Sequence, residues 1–546
     1  MNYREKYKLW LGFDKDTEKE LLSVTEEKEI EDRFYKDLEF GTGGMRGVMG
    51  AGSNRMNKYT VGRATEGLAN YLKSVYKGKI SVAIAFDSRN NSRQFAHFAA
   101  CVLSAHGIRV FLFDKLMPTP VLSFAVRHLK CNAGIVITAS HNPKEYNGYK
   151  IYDSKGCQIV PKYANEIIKC VYAVMDLKAI PFMKEEEAAA TGLIKSIGDE
   201  VLDEFTKAVE KQKLYTEKSD LKIIFTPLHG TGNVPVRRVL RDMNVSVVKE
   251  QELPDGSFST LRSPNPEERD ALTLALNQAK KENADIVLGT DPDCDRVGVG
   301  VRHGGEFRLL TGNQIGALLV SFVLMMKKAE LTPKSTLVKT IVTNELGANI
   351  ARRYGLNIVE TLTGFKYIGD RINHYEETEE KDFVIGYEES YGYLVGTHSR
   401  DKDAVVASML ICEMAAYFKN RGKTLVDALE DIYEEYGFYL DALDSFTFSG
   451  KDGAQRIKAI MADFRSRGAE IFGGLKAVKD YGTGLEGLPK ENVLKFIFED
   501  GSWLAVRPSG TEPKLKVYYS VRAKGRNDAH ERLDTLRDIA GNIIKE

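Results

Sequence analysis

The feature that most constrains this chain is a rhythm. Short β-branched runs alternate with amphipathic segments, as in "KISVAIAFDSR", then "SRQFAHFAACVLSAHG", then "IRVFLFD". That order is the signature of βαβ units and of sheets that are mostly parallel. Helical periodicity returns at 311–329 and 403–420, where apolar residues recur every three or four positions. Near the C-terminus the rhythm breaks. The runs "NVLKFIFED", "GSWLAVR" and "KLKVYYSV" follow one another without helices between them, which predicts hairpin-linked strands, with a closing helix from Asp528. At 546 residues the chain exceeds one ordinary core, so several domains are expected.

Composition narrows the function classes. Lys plus Arg number 77 and Asp plus Glu 77, so bulk charge does not select a nucleic acid or an anionic membrane as partner. The start, "MNYREKYKLWLGFDKDTEKELL", is charged where a secretory signal would be apolar. The longest apolar run, Ile315 to Met326, is too short to span a bilayer and reads as a buried helix. None of the six cysteines stands in a Cys-x-x-Cys pair, which favours reduced thiols and a cytoplasmic location.

Four times an apolar strand breaks into a polar loop bearing glycine or proline: "GIVITASHNP", "DIVLGTDPDCDR", "DFVIGYEESYGY" and "WLAVRPSGTEPK". In open α/β sheets ligands bind beyond the carboxyl ends of strands, so the four loops are candidates to meet at one cleft. Taken singly, each also fits an ordinary surface connection.

"DPDCDR" spaces Asp291, Asp293 and Asp295 by two, which in an extended segment sends all three carboxylates to one side. Such a cluster is either a solvated acidic turn or a site for a hard cation, with Mg²⁺ the usual ion where a phosphate completes the shell. A calcium EF-hand does not fit, because Arg296 and Arg302 stand where its glycine and glutamate belong. Cys294 reads as a packing residue. "RPSGTEPK" offers Arg507, Ser509, Thr511 and Lys514 around Gly510, a donor set suited to a phosphate monoester or to a plain charged turn. "GYEES" supplies Glu388 and Ser390 for sugar hydroxyls, with Arg400 and Lys402 close behind. Arg46, inside the glycine-rich "GTGGMRG", adds positive charge where backbone can approach an anion. In "TASHNP", Ser140 lies outside a Gly-x-Ser-x-Gly elbow. Its neighbour His141 would diverge from it in an extended loop, unless the loop folds sharply. A serine that needs no adjacent base can instead carry a phosphate.

Together, and in this order, "TASHNP", "DPDCDR", "GYEES" and "RPSGTEP" closely resemble the α-D-phosphohexomutase family, most closely its phosphoglucomutase branch, to which "TPLHGTG" is also similar. The resemblance runs from Gly41 to Lys514. It implies an α/β fold of four domains around a central cleft: three related α/β domains with mixed sheets, and a smaller C-terminal α+β domain. The expected boundaries are 1–198, 199–310, 311–438 and 439–546. It implies Ser140 as phosphoserine, with Asp291, Asp293, Asp295 and the phosphate on Ser140 binding Mg²⁺. Lys150 and Arg296 would serve proton transfer or charge stabilisation, with His141 a further active-site contact. Substrate would be held by Arg46, Glu388, Ser390, Lys402, Arg507, Ser509, Gly510 and Thr511.

The activity implied is interconversion of glucose 1-phosphate and glucose 6-phosphate, with glucose 1,6-bisphosphate as intermediate and activator. Mannose or pentose phosphates are alternative substrates, since "GYEESYGY" departs from the family's "GEESFG". A rival enzyme is an aspartyl-phosphate phosphatase using Asp291. The partner expected is a small phosphosugar, with no nucleic acid, membrane or obligatory protein.

Overall fold

The computed structural model describes residues 1–41, 43–448, 453–509 and 514–545. The chain forms two compact units, Met1–Gly312 with Phe365–Gly422, and Asn313–Gly364 with Lys423–Glu546.

The first unit holds two mixed sheets. One runs in the order Met45–Val48, Tyr146–Asp153, Ala133–Ile137, Ser81–Phe86, Arg109–Phe113, Ile194–Ile197. The four strands from Ala133–Ile137 onward are parallel, and Tyr146–Asp153 is antiparallel to both of its neighbours. The parallel strands read as continuous apolar runs because helices cover both faces, and Ala133–Ile137 is buried at every position. The helix Lys58–Val75 begins at an Asn57 capping box and presents Val61, Ala64, Leu68 and Leu72 to this core.

The other sheet orders Glu306–Leu310, Val297–His303, Ile286–Thr290, Lys222–Thr226 and Asn244–Val247. Its last three strands are parallel, and the first two make hairpin pairings. The antiparallel hairpin Asp382–Glu388 with Gly392–Val395 also belongs to the first unit. So does the helix Ala404–Lys419, whose Asp403 cap accepts from Val405 N at 2.8 Å and Val406 N at 3.2 Å.

The second unit contains the parallel pair Ser335–Thr340 and Asn357–Thr361. It also contains an antiparallel sheet ordered Phe438–Thr447, Lys514–Ala523, Trp503–Pro508, Leu494–Phe498, Leu475–Asp480. The closing helix is Arg526–Lys545, beginning two residues before the Asp528 read from sequence. The apolar run from Ile315 lies in the helix Gly312–Met326, and residues such as Ile315, Leu319 and Val323 are fully buried. The six cysteines are free thiols. Among the described residues, no helix is long and apolar enough to cross a membrane.

Candidate active site

Ser140 sits at the carboxyl end of the strand Ala133–Ile137, in a loop that is not extended. Its φ is 51°, in the left-handed region, and its N–H donates to Thr138 Oγ1 at 2.8 Å. Asn142 N closes a tight turn onto Ala139 O at 3.1 Å. The expectation that the side chains of Ser140 and His141 diverge is therefore corrected. The sharp fold brings Ser140 Oγ to 3.2 Å from His141 Nδ1, and the same hydroxyl donates to Asp291 Oδ2 at 2.8 Å. Burial, then the charges of Arg296 and Arg46, push the His141 imidazole well below its ordinary pKa and keep it neutral.

The three aspartates meet, though by a turn and not by extended alternation. Cys294 N donates to Asp291 O at 2.9 Å, with Cys294 at φ 53°. Asp291 Oδ1 accepts from Asp295 N at 3.1 Å and Arg296 N at 3.0 Å, folding the loop around that carboxylate. One oxygen from each of the three lies within 4.8 Å of the others. Cys294 is fully buried, as a packing residue should be.

Asp293 Oδ1 and Asp295 Oδ1 are buried without a hydrogen-bond partner, and all three residues are at most 2% exposed. Buried oxygens left unsatisfied beside like charges are what a divalent cation would complete, so the donor set fits a hard metal ion. Burial and the carboxylates of Asp295 and Asp293 drive the Asp291 carboxyl well above its ordinary pKa. Burial opposes the charge of Asp293 too, but Lys150, the hydrogen bond with Asp291 and the charge of Lys402 together outweigh it and hold that carboxyl low.

Cations ring the cluster. Lys150, on the strand Tyr146–Asp153, places Nζ 2.8 Å from Asp293 Oδ2 and 3.9 Å from Asp295 Oδ2. Lys402 Nζ is 3.0 Å from Asp295 Oδ2 and 3.2 Å from Asp401 Oδ1. Burial would strip its proton, but Asp295, Asp401 and Glu388 hold Lys402 charged. Arg296 places Nε 3.8 Å from Asp295 Oδ1 and pairs through Nη1 with Glu267. Glu388 ends its strand, is 4% exposed, and lies close enough to stabilise the charge of Arg296. The turn that contains Ser390 is tied in by Val297 N donating to Tyr391 O at 3.2 Å.

Arg46 is exposed and donates from Nη1 to Asn142 Oδ1 at 2.7 Å. Its glycine-rich stretch serves packing: at Gly44, φ 109°, a Cβ would lie 1.9 Å from the Tyr149 carbonyl oxygen. Arg400 is fully buried and donates to Asn373 Oδ1 at 2.7 Å, a structural role.

Arg507 and Ser509 belong to the second unit, where Arg507 Nε is 2.9 Å from Glu491 Oε1 and Ser509 N donates to Lys514 O at 2.7 Å. Gly510 and Thr511 lie outside the described residues.

Several contributors escaped sequence reasoning. Thr119 donates from Oγ1 to Asp293 Oδ2 at 3.0 Å and from N to Asp293 O at 2.9 Å. Its only local signal is its place between two prolines at a helix start. Tyr152 OH fixes Asp401 at 2.6 Å. The loop "TPLHGTG" buttresses the aspartates: Thr231 N donates to Pro292 O at 2.8 Å, and a Cβ at Gly230 would lie 2.5 Å from Pro292 Cα.

A serine hydroxyl bonded into a buried carboxylate triad, with lysines and arginines around it, is the arrangement that metal-assisted phosphoryl transfer calls for. The comparisons are specific about which. Models of the phosphoglucomutase/phosphomannomutase α/β/α domains I, II and III match residues 37–177, 203–305 and 311–436, and the model of the family's C-terminal domain matches 447–530. The chain belongs to the phosphoglucomutase/phosphomannomutase family.

A phosphoglucomutase of Staphylococcus haemolyticus is 39% identical, covering 90% of this chain and 91% of its own length. One from Staphylococcus saprophyticus is 37% identical, covering 98% and 100%. Among solved structures, the open form of parafusin, a phosphoglucomutase from Paramecium, shares the fold with a TM-score of 0.73 at 20% identity, over 94% of this chain and 96% of that one.

Proposed function

We propose that this chain is a phosphosugar mutase that interconverts glucose 1-phosphate and glucose 6-phosphate. The observation that carries the reading is the Ser140 hydroxyl, 2.8 Å from Asp291 in the buried triad. The near-full-length relatives at 37–39% identity, named phosphoglucomutases, support glucose as the sugar.

In the proposed cycle Ser140 carries the phosphoryl group. The bond from phosphorus to Ser140 Oγ breaks as one forms to the 6-hydroxyl of glucose 1-phosphate, and that hydroxyl gives up its proton. The resulting glucose 1,6-bisphosphate turns over, and Ser140 takes the phosphoryl group from the 1-position. The transition state is loose, so the protein's work is positioning and charge neutralisation. Asp291, Asp293 and Asp295, with the phosphate on Ser140, would hold Mg²⁺, which supplies countercharge to the phosphoryl oxygens.

The chain's own groups do the rest. His141 and Lys150 hold or move the proton, Arg296 and Arg46 offset phosphoryl charge, and Glu388, Ser390 and Lys402 orient the sugar. Arg507, Ser509, Gly510 and Thr511 are proposed to hold the phosphate that is not in transfer. Domain boundaries near 198, 310 and 438, and a cytoplasmic location, belong to the same reading.

The test is conversion of glucose 1-phosphate by the purified chain with Mg²⁺ and catalytic glucose 1,6-bisphosphate. Turnover is expected, lost on chelation of the metal and lost in Ser140→Ala, which should fold normally. Label from the bisphosphate should be acid-stable on Ser140. A hydroxylamine-labile label on Asp291 would refute the serine assignment, and faster turnover of mannose or pentose 1-phosphates would reassign the sugar.

A further inference from the structure

The segment Asp87-Ser88-Arg89 follows the strand Ser81–Phe86, and its arginine has no role in the chemistry above. The Arg89 side chain is fully buried. Its Nη1 donates to Pro143 O at 2.9 Å and Tyr146 O at 3.1 Å. Its Nη2 donates to Ser140 O at 2.6 Å and also to Asn142 O. One guanidinium thus gathers four main-chain carbonyls of the loop that carries Ser140.

Arg89 is itself held. Asp87 Oδ1 accepts from Arg89 N at 2.9 Å and from Ser92 Oγ at 2.6 Å, Asp87 Oδ2 is 3.4 Å from Arg89 Nε, and the Phe258 ring lies 5.0 Å from the guanidinium carbon.

Carbonyl dipoles converging on one point repel, and a non-glycine residue at φ 51° is strained, so the loop does not take this shape unaided. A planar fork with five N–H donors meets four carbonyls at once, whereas an ammonium on a flexible stem has three donors and no plane. The same shape sets Ser140 Oγ on Asp291. On the reading of Ser140 as phosphoryl carrier, its side chain cycles between neutral and a charge of about −2. A clamp on the main chain keeps the oxygen in place through that change without touching substrate.

We infer that Arg89, locked by Asp87, is a positioning residue that holds the Ser140 loop in register with the carboxylate triad. The inference rests on the carrier role of Ser140.

The test compares the full chain with Arg89→Lys and Asp87→Asn in single-turnover transfer of radiolabelled phosphoryl from glucose 1,6-bisphosphate to Ser140. Labelling stoichiometry, Tm and KM for glucose 1-phosphate are measured beside it. Arg89→Lys is expected to reach the parent's stoichiometry with a transfer rate per labelled chain about 100-fold lower and KM within about threefold, the mark of lost alignment. Asp87→Asn, which keeps the guanidinium but loosens it, should lose about tenfold. A parent-like rate in both variants overturns the inference. So does a fall confined to stoichiometry and Tm, with the rate per labelled chain unchanged, which is what a merely structural role gives. A parent that takes no label on Ser140 overturns the carrier reading, and this inference with it.

Discussion

Asp441 lies on the first strand of the C-terminal sheet, opposite Ser520, and is expected to hold a removable instability. Asn344 Nδ2 donates to its Oδ2 at 2.8 Å, while its Oδ1 is buried without a hydrogen-bond partner. Burial raises this carboxyl from 3.8 to about 6, against the opposing hydrogen bonds of Ser520, Asn344 and Asn313. The folded state therefore binds the proton more tightly than the unfolded chain. Its stability is fully present below about pH 4 and is lost as pH rises towards 6. A shift of about two pH units at 1.36 kcal/mol each makes the ionised residue cost on the order of 3 kcal/mol above pH 6.

Asp441→Asn keeps an acceptor for Asn344 and removes the charge. Allowing about 1 kcal/mol for a poorer hydrogen bond, the variant should be about 2 kcal/mol more stable than the parent at pH 7.5. Below pH 4 it should show no gain. The chain has two tryptophans, and Trp503 belongs to the second unit while Trp10 belongs to the first. In a Trp10→Phe background, urea unfolding followed by Trp503 fluorescence reports the unit that holds Asp441. The expected signature is a parent–variant difference that opens between pH 4 and 6 and stays constant above. A difference independent of pH from 4.5 to 7.5 would refute the reasoning.

Two further substitutions probe the site's supports. Thr119→Val deletes the hydroxyl that donates to Asp293 Oδ2, and should raise the Mg²⁺ concentration for half-maximal activity by about 10- to 100-fold; an unchanged activation curve would remove Thr119 from the metal's support. Gly44→Ala puts a methyl against the Tyr149 carbonyl at positive φ, and should part the strand of Arg46 from the strand of Lys150, costing more than about 3 kcal/mol in unfolding experiments and most of the activity. A parent-like Tm would refute that packing.

What the sequence made legible follows from the range of the forces involved. Strand and helix periodicities are local, so Ala133–Ile137 and Ser92–Ala105 could be read directly. The three aspartates could be picked out by chemical type and spacing, because few arrangements make three carboxylates in five residues useful, whereas Lys150 and the assignment of Ser140 as carrier came only with the family resemblance. The shape of the loops could not. The extended reading of "TASHNP" failed because the loop folds around a distant partner: Arg89, 51 residues earlier, binds its carbonyls, and Ser140 stands in the left-handed region. The even spacing in "DPDCDR" suggested alternation, whereas hydrogen bonds from Asp295 N and Arg296 N to Asp291 fold a turn. In both loops a polar side chain competes with regular backbone, and its partner cannot be known from periodicity.

The electrostatics explain why such loops are over-determined. Asp291, Asp293 and Asp295 bring three carboxyl groups into a buried space, and Lys150 and Lys402 pair with two of them. A phosphoserine would add about −2 beside these groups and a divalent cation +2, so the balance swings as the phosphoryl group comes and goes. A loop held only by those charges would move with them. Here part of the restraint lies elsewhere: Arg89 binds carbonyls of the serine loop, Thr119 N binds a carbonyl of the aspartate loop, and Thr231 N binds another. Hydrogen bonds made to main-chain carbonyls persist whether or not Ser140 carries a phosphate, so the oxygens can stay in register while the charge among them changes.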